Sequence, residues 1–270
     1  MKISEKEQSY LEGSLMPEAK FLQESYILAL HRYKWVNKFT KNKIILDAGC
    51  GSGYGTDMLI SGGAKKVYGV DINSKSIEFC KKHYSQKNLV FSEGDLEKLK
   101  FPDKFFDCVV AFEVIEHVQN CPKALAEFYR ILKPGGVLVF STPNKKIYSP
   151  GTKKPFYPFH YQEFYLEDIK TLLKKFQIQE ILGQYIKGKK MLLYPSWHPK
   201  RNIRVIYANL PFEIKIVLMR WYLKVYAWIY RTGLYRTNKQ LSDVYFSKNL
   251  DTTRIFVVRC TRQKRKNNEN

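Results

Sequence analysis

The sequence predicts an α/β fold, an open, doubly wound parallel sheet with helices on both faces. Three observations predict it. First, Ile44-Ile45-Leu46-Asp47-Ala48-Gly49-Cys50-Gly51-Ser52-Gly53-Tyr54-Gly55 is an apolar run that stops at a carboxylate and passes into alternate glycines. Second, further apolar runs end the same way, at Asp71, at Glu93-Gly94-Asp95 and at Glu113. Third, helical segments separate these runs, and strands alternating with helices at such spacing pack as parallel neighbours.

Taken in order, residues 5–40 read as helical, with an apolar face of Tyr26, Ile27, Leu30, Tyr33 and Trp35. The first strand covers 43–48. Its glycines form a turn with no Cβ to keep a ligand from the backbone. A helix starting near Thr56 points its N-terminal amides into the same crevice. The turn matches G-x-G-x-x-G poorly, and no G-x-x-x-x-G-K-[ST] is present. The second strand, 66–71, ends at Asp71, where a carboxylate is placed to accept from both ribose hydroxyls of a nucleoside. Ile72 then lies against an adenine face. After the third strand, 88–92, Asp95 can accept from an adenine amino group and the adjacent amide can donate to a ring nitrogen. The fourth strand, 105–112, ends at Glu113. A helix over 123–132 stops at Lys133-Pro134-Gly135-Gly136, which turns into a fifth strand, 136–142. A helix over 166–175, a strand over 176–182 and a last strand over 254–259 complete the set. In that last strand Ile255 and Val257 alternate with Phe256 and Val258.

Composition bounds the partners. The chain has 270 residues, 44% of them apolar, enough for a substantial core. Its net charge of +21 favours anionic lipid surfaces, nucleic acid or acidic glycans. Residues 262–268 read as a solvated basic tail. The cysteines, 50, 80, 108, 121 and 260, show neither C-x-x-C nor zinc spacing, which is the pattern of reduced cytosolic thiols. The first residues are charged and lack the apolar core of a secretory signal.

As an ordered set, LDAGCGSG, VYGVDIN, EGD, FDCVVAFEVIEHV and LKPGGVLVFSTPN resemble the class I S-adenosylmethionine-dependent methyltransferases across residues 43–183. The resemblance implies a seven-stranded Rossmann-like doubly wound sheet whose last strand runs antiparallel. It implies S-adenosyl-L-methionine as cofactor, with Asp47, Gly49, Gly51 and Gly53 near the methionine moiety. Asp71 then holds the ribose, and Ile72, Asp95 and Leu96 hold the adenine. Phe112 and Glu113, at the end of the fourth strand, are the remaining cofactor-binding candidates. In related methyltransferases the preceding helix folds over the cofactor, which brings Arg32 or Tyr33 to the methionine carboxylate; an ordinary amphipathic cap is the alternative. The chain divides into a helical cap (1–42), the core (43–183), an insertion (184–253), the last core strand (254–260) and the tail (261–270).

The insertion is far too long for a loop between two strands. Residues 184–250 carry 13 lysines and arginines against 2 acids, a net +11, together with Trp197, Trp221 and Trp228. Phe212–Arg231 is a helix candidate in which Glu213, Arg220, Lys224 and Arg231 form one polar stripe. These charges disfavour a membrane span and suit an interfacial helix within 200–236 at an anionic surface, on a cytoplasmic protein held at the inner face. Packing over the substrate pocket or against a second subunit, as in a homodimer, fits the same pattern.

Methyl transfer from a sulfonium is an in-line displacement that needs alignment of the acceptor and exclusion of water. A hydroxyl acceptor also gains from a base or a metal. Glu116, His117 and His160 are the candidate catalytic residues. One reading makes a histidine the general base or orienting group. The other joins Glu113, Glu116, His117 and His160 in a divalent-metal site, which resembles that of small-RNA 2′-O-methyltransferases and some quinone O-methyltransferases. STPN before P-F-H-Y-Q-E-F, with the N-terminal motifs, resembles methyltransferases of bacterial cell-envelope glycan clusters. That implies O-methylation of a sugar hydroxyl of a glycan or its lipid-linked precursor. A quinone or lipid-phenol acceptor, RNA, and a non-catalytic scaffold are the alternatives. No appended RNA-binding module is recognisable, and intact Asp47, Asp71 and Asp95 argue against the scaffold.

Overall fold

The computed structural model describes residues 23–187, 206–207, 209–231 and 240–263, without the side chains of 23 and 222–231. The expectations for residues 5–22, for Trp197 and for the tail beyond 263 lie outside the described residues, as do the side chains of Lys224, Trp228 and Arg231. Helix α1 (Gln23–Val36) precedes β1 (Ile44–Ala48), α2 (Tyr54–Ser61), β2 (Lys66–Asp71), α3 (Ser74–His83), β3 (Leu89–Glu93) and β4 (Phe106–Phe112). Then come α4 (Cys121–Ile131), β5 (Leu132–Pro143), the short α5 (Lys145–Tyr148), α6 (Leu166–Leu172) and β6 (Phe176–Ile186). The series ends with α7 (Phe212–Arg231), β7 (Val244–Ser247) and β8 (Ile255–Arg262).

The strands form one sheet in the order β3-β2-β1-β4-β5-β8-β6-β7. Strands β1 to β5 pair in parallel, whereas β8 is antiparallel to both β5 and β6. The antiparallel last strand therefore stands where the sequence placed it. The strand count does not: eight strands pair, not seven. The extra one, β7, pairs antiparallel with β6 from Gly183↔Ser247 to Ile186↔Val244. It hid inside the segment read as insertion because four residues carry almost no periodic signal, and β6 itself runs four residues past its predicted end.

Local chemistry places the helices. Asn73 caps α3 by accepting from the amides of Lys75 and Ser76, and Asn120 caps α4 by accepting from Lys123. Helix α4 buries Cys121, Ala124, Leu125, Phe128 and Ile131, one stripe at helical spacing. That stripe meets Phe106, Leu138 and Phe256 in the larger core, on one face of the sheet. On the other face Tyr33, Val36, Ile45, Leu59 and Val110 pack together. Strand β8 serves both faces, with Phe256 and Val258 in the first core and Ile255 and Val257 against Ile27, Leu28 and Leu182. All five cysteines are buried.

Candidate functional site

The carboxyl ends of β1 to β5 form one edge, the usual ligand position in such sheets. At β1 the chain leaves Asp47 through glycines in the left-handed region: Gly49 has φ 71° and Gly53 has φ 80°. A Cβ on Gly53 would stand 2.7 Å from Cys80 Sγ and 2.8 Å from the Tyr84 ring, so no larger residue fits. Gly53 also caps α2, which begins at Tyr54, two residues earlier than the sequence suggested. Its free N-terminal amides face the crevice.

Asp47 is fully buried and accepts from the Tyr33 hydroxyl (3.0 Å) and the Thr56 hydroxyl (2.6 Å). Burial raises its pKa from 3.8 to about 7, against the pull of those two hydrogen bonds and with a further push from Asp71. Asp71 accepts from the amides of Gly51 (2.8 Å) and Asn73 (2.9 Å), which ties the glycine turn to the tip of β2. Burial raises its pKa, and those backbone hydrogen bonds hold it back. Ile72 is 74% exposed, a bare apolar side chain beside the crevice. Asp95 is exposed at the end of the third strand's loop, while the Leu96 side chain belongs to the core. Leu96 can therefore meet an adenine only through its backbone.

Helix α1 lies over this edge. The ring of Tyr33 fills the space that a side chain on Gly55 would need and packs edge-on against Phe112, with centroids 5.0 Å apart. Its hydroxyl is taken by Asp47, so of the two residues expected at the methionine carboxylate Arg32 is the better placed. Arg32 is 3% exposed, and its guanidinium stands 5.4 Å over the Phe112 ring. It donates to Gln184 Oε1 at 2.8 Å, while its Nε is buried with no partner. No carboxylate pairs with it among the described residues. A buried cation in this state fits a small carboxylate ligand.

The acceptor side begins at Glu113. This residue adopts φ 54°, a left-handed conformation rare outside glycine. It is held there by Ser141, which accepts from the Glu113 amide and donates its hydroxyl to Glu113 Oε1 at 2.6 Å. The turn that follows buries Glu116 completely. Glu116 Oε2 accepts from the Thr142 hydroxyl, and Oε1 has no partner. Burial, and next the charge of Glu113, push the Glu116 pKa well above the usual carboxylate range.

An arch over residues 145–165, closed at its base by a bridge between Asn144 and Phe164, reaches back to this turn. Tyr161 and Gln162 donate their amides to the Glu116 carbonyl. His117 Nδ1 donates to the Phe159 carbonyl at 3.1 Å, since a carbonyl can only accept. Burial, with the neighbouring His160, lowers the His117 pKa to about 3. His160 stands with its ring 4.8 Å from that of His117, and its Nδ1 lies 2.9 Å from Glu163 Oε1. Both rings thus use Nδ1 on a fixed partner and keep Nε2 for a ligand.

Glu116, His117 and His160 bring one potential ligand atom each within 4.8 Å of one another. Two imidazoles oriented from behind and one orphaned carboxylate oxygen suit a borderline cation such as Zn²⁺. Glu113, the fourth member of the expected set, is not part of this group; its carboxylate is engaged by Ser141. Sequence reasoning missed Ser141, Thr142, Glu163 and Gln184. Glu163 stands three residues from His160 in the motif already noticed, and that spacing was its only signal. Gln184 fell in the segment read as insertion.

Sheet order and crevice are those expected of a class I S-adenosylmethionine-dependent methyltransferase. Residues 46–140 match the family of methyltransferase domains, which supports S-adenosyl-L-methionine as the cofactor. A probable S-adenosylmethionine-dependent methyltransferase of Mycolicibacterium smegmatis is 34% identical over 167 residues, 60% of this chain and 64% of that one. A second relative, from Mycobacterium tuberculosis and of the same description, is 36% identical over 48% of this chain and 46% of its own. The chain thus spans less than two thirds of these relatives' lengths. In structure it resembles an S-adenosylmethionine-dependent methyltransferase from Mesorhizobium loti, with TM-score 0.56, 15% identity and coverage of 93% of this chain and 100% of that one. It also resembles the [4+2]-cyclase SpnF, with TM-score 0.54, 18% identity and coverage of 87% and 81%. At such identities these likenesses speak for the fold alone.

Proposed function

We propose that the protein transfers the methyl group of S-adenosylmethionine to a hydroxyl oxygen of a lipid-borne acceptor, first among them a sugar hydroxyl of a lipid-linked cell-envelope glycan. The observation that carries this reading is the His160–Glu163 pair at the acceptor end of the edge. The hydroxyl oxygen attacks the methyl carbon in line, and the carbon–sulfur bond breaks to leave S-adenosylhomocysteine. The hydroxyl proton passes to His160 Nε2, and Glu163 stabilises the imidazolium that forms. Named relatives support the lipidic side of the reading. The chain is 32% identical over 43% of its length to a fatty-acid O-methyltransferase of Mycolicibacterium smegmatis. It is 35% identical over 39% to a phthiotriol/phenolphthiotriol dimycocerosates methyltransferase of Mycobacterium leprae.

A second reading rests on the orphaned Glu116 oxygen. There Glu116, His117 and His160 would hold a divalent cation, which would supply Lewis acidity toward the acceptor hydroxyl. It goes with a quinone or lipid-phenol acceptor, and a ubiquinone biosynthesis O-methyltransferase of Coxiella burnetii is 36% identical over 39% of this chain. On either reading the protein works from the cytoplasmic side of a membrane.

The test supplies radiolabelled S-adenosylmethionine with lipid-linked glycan, quinone and total RNA extracts in parallel. Label in the glycan extract that survives EDTA and is lost in His160→Ala supports the first reading. Label confined to quinones and abolished by EDTA moves the assignment to the second. Label in RNA alone overturns both.

A further inference from the structure

The described half of helix α7, residues 212–221, is turned inside out for a helix in water. Ile214, Val217, Leu218 and Trp221 stand at i, i+3, i+4 and i+7 and make one apolar stripe. That stripe faces outward: Val217 and Trp221 are each 63% exposed, Ile214 45% and Leu218 42%. The packed side instead holds Met219 and Lys215, each 7% exposed. Burial lowers the Lys215 pKa, with Lys154 adding to the effect. Phe212 and Ile206 extend the outer apolar surface. An exposed, continuous apolar stripe is the mark of a surface made to be covered.

We propose that the stripe inserts into the headgroup region of an anionic phospholipid bilayer. Charge selects this occupant. The only acid of the helix is Glu213, Arg220 is exposed beside the stripe, and Lys153 and Lys154 are exposed on the arch below. Lys224 and Arg231 continue the 7-4-7 spacing of Glu213 and Arg220 along the sequence. A segment of net +11 repels a second copy of itself across a symmetric interface, whereas an anionic surface attracts it. The helix lies in the surface rather than across it, for no described helix is long and apolar enough to span a membrane.

The placement has a use. Helix α7 rests on the arch that carries His160: Phe212 packs on Phe159 with centroids 6.0 Å apart, and Tyr207, whose ring lies tilted against Phe156, donates its hydroxyl to the Lys215 carbonyl. A bilayer beneath α7 therefore lies next to the arch that carries His160. This deepens the lipid-borne acceptor reading and rests on it for its purpose, but its test reads binding apart from methyl transfer.

The full chain is floated with vesicles of phosphatidylcholine alone or with 40% phosphatidylglycerol, at low and high salt. Binding about tenfold tighter to the anionic vesicles, weakened by salt, is expected. The double substitution Val217→Glu with Trp221→Glu abolishes flotation while thermal melting and S-adenosylmethionine binding stay at wild-type values; Arg220→Glu weakens it severalfold. Flotation that persists in the double variant overturns the proposal. So does sedimentation as a dimer that the double variant dissolves. Vesicle binding without methylation of any lipid-borne acceptor leaves the helix assignment standing and removes the function reading instead.

Discussion

The cofactor side of the strand-end edge and its acceptor side are made from the same sheet by different means. On the cofactor side each functional group sits at the tip of its own strand: Asp47 after β1, Asp71 after β2, Asp95 after β3. The backbone itself does much of the holding, as when the Gly51 and Asn73 amides grip Asp71. On the acceptor side side chains converge from distant stretches. Thr142 holds Glu116 from 26 residues away, and the Phe159 carbonyl orients His117 from 42 residues away. One side is a property of local spacing, the other a property of how an arch lands. The first is expected to tolerate chemical change poorly in binding, the second poorly in rate.

The largest test of that division is His160→Ala. Loss of the base lowers kcat about 10³-fold with S-adenosylmethionine affinity unchanged, read by methyl-transfer kinetics beside calorimetric binding. Equal losses in both would erase the division. Next, Arg32→Ala weakens cofactor binding about 50-fold, the worth of a buried charge-assisted contact, while kcat at saturating cofactor stays within a few-fold of wild type. An unchanged affinity would take Arg32 out of the cofactor site.

Asp47 gives a pH test. Its folded pKa, about 7, lies above the unfolded value near 3.8, so the folded state binds the extra proton between them. The stability this brings is full below pH 3.8 and is lost as pH rises through 7. Thermal midpoints should therefore fall by about 5 °C between pH 5 and pH 8 from this residue alone, and Asp47→Asn should flatten that slope. A slope unchanged in the variant would place the titration elsewhere. The smallest effect is Ser141→Ala, which frees Glu113 in its left-handed conformation and costs about 1 kcal/mol by chemical denaturation.

What the sequence revealed follows the same division. Asp47, Asp71 and the glycines were legible because strand, turn and acid are contiguous, and φ values such as that of Gly53 admit few other residues. His160 was visible as a motif, but its partner Glu163 was not, because nothing in one dimension shows that the arch folds back on Glu116. Strand β7 escaped because pairing, not composition, makes four residues a strand. The polar stripe of α7 was visible too; the outward turn of Ile214, Val217 and Trp221 was not, since the pattern alone cannot say which face a neighbour takes.

One bond remains to be followed, that between Arg32 and Gln184, 152 residues apart. Gln184 rides on β6, and β6 reaches the parallel sheet only through β8. The Arg32–Gln184 bond therefore closes only after β8 has paired with both β5 and β6. A chain folded as far as β5 has its glycine turn and the Asp71 carboxylate in place but no anchored guanidinium. So long-range a closure makes folding slow.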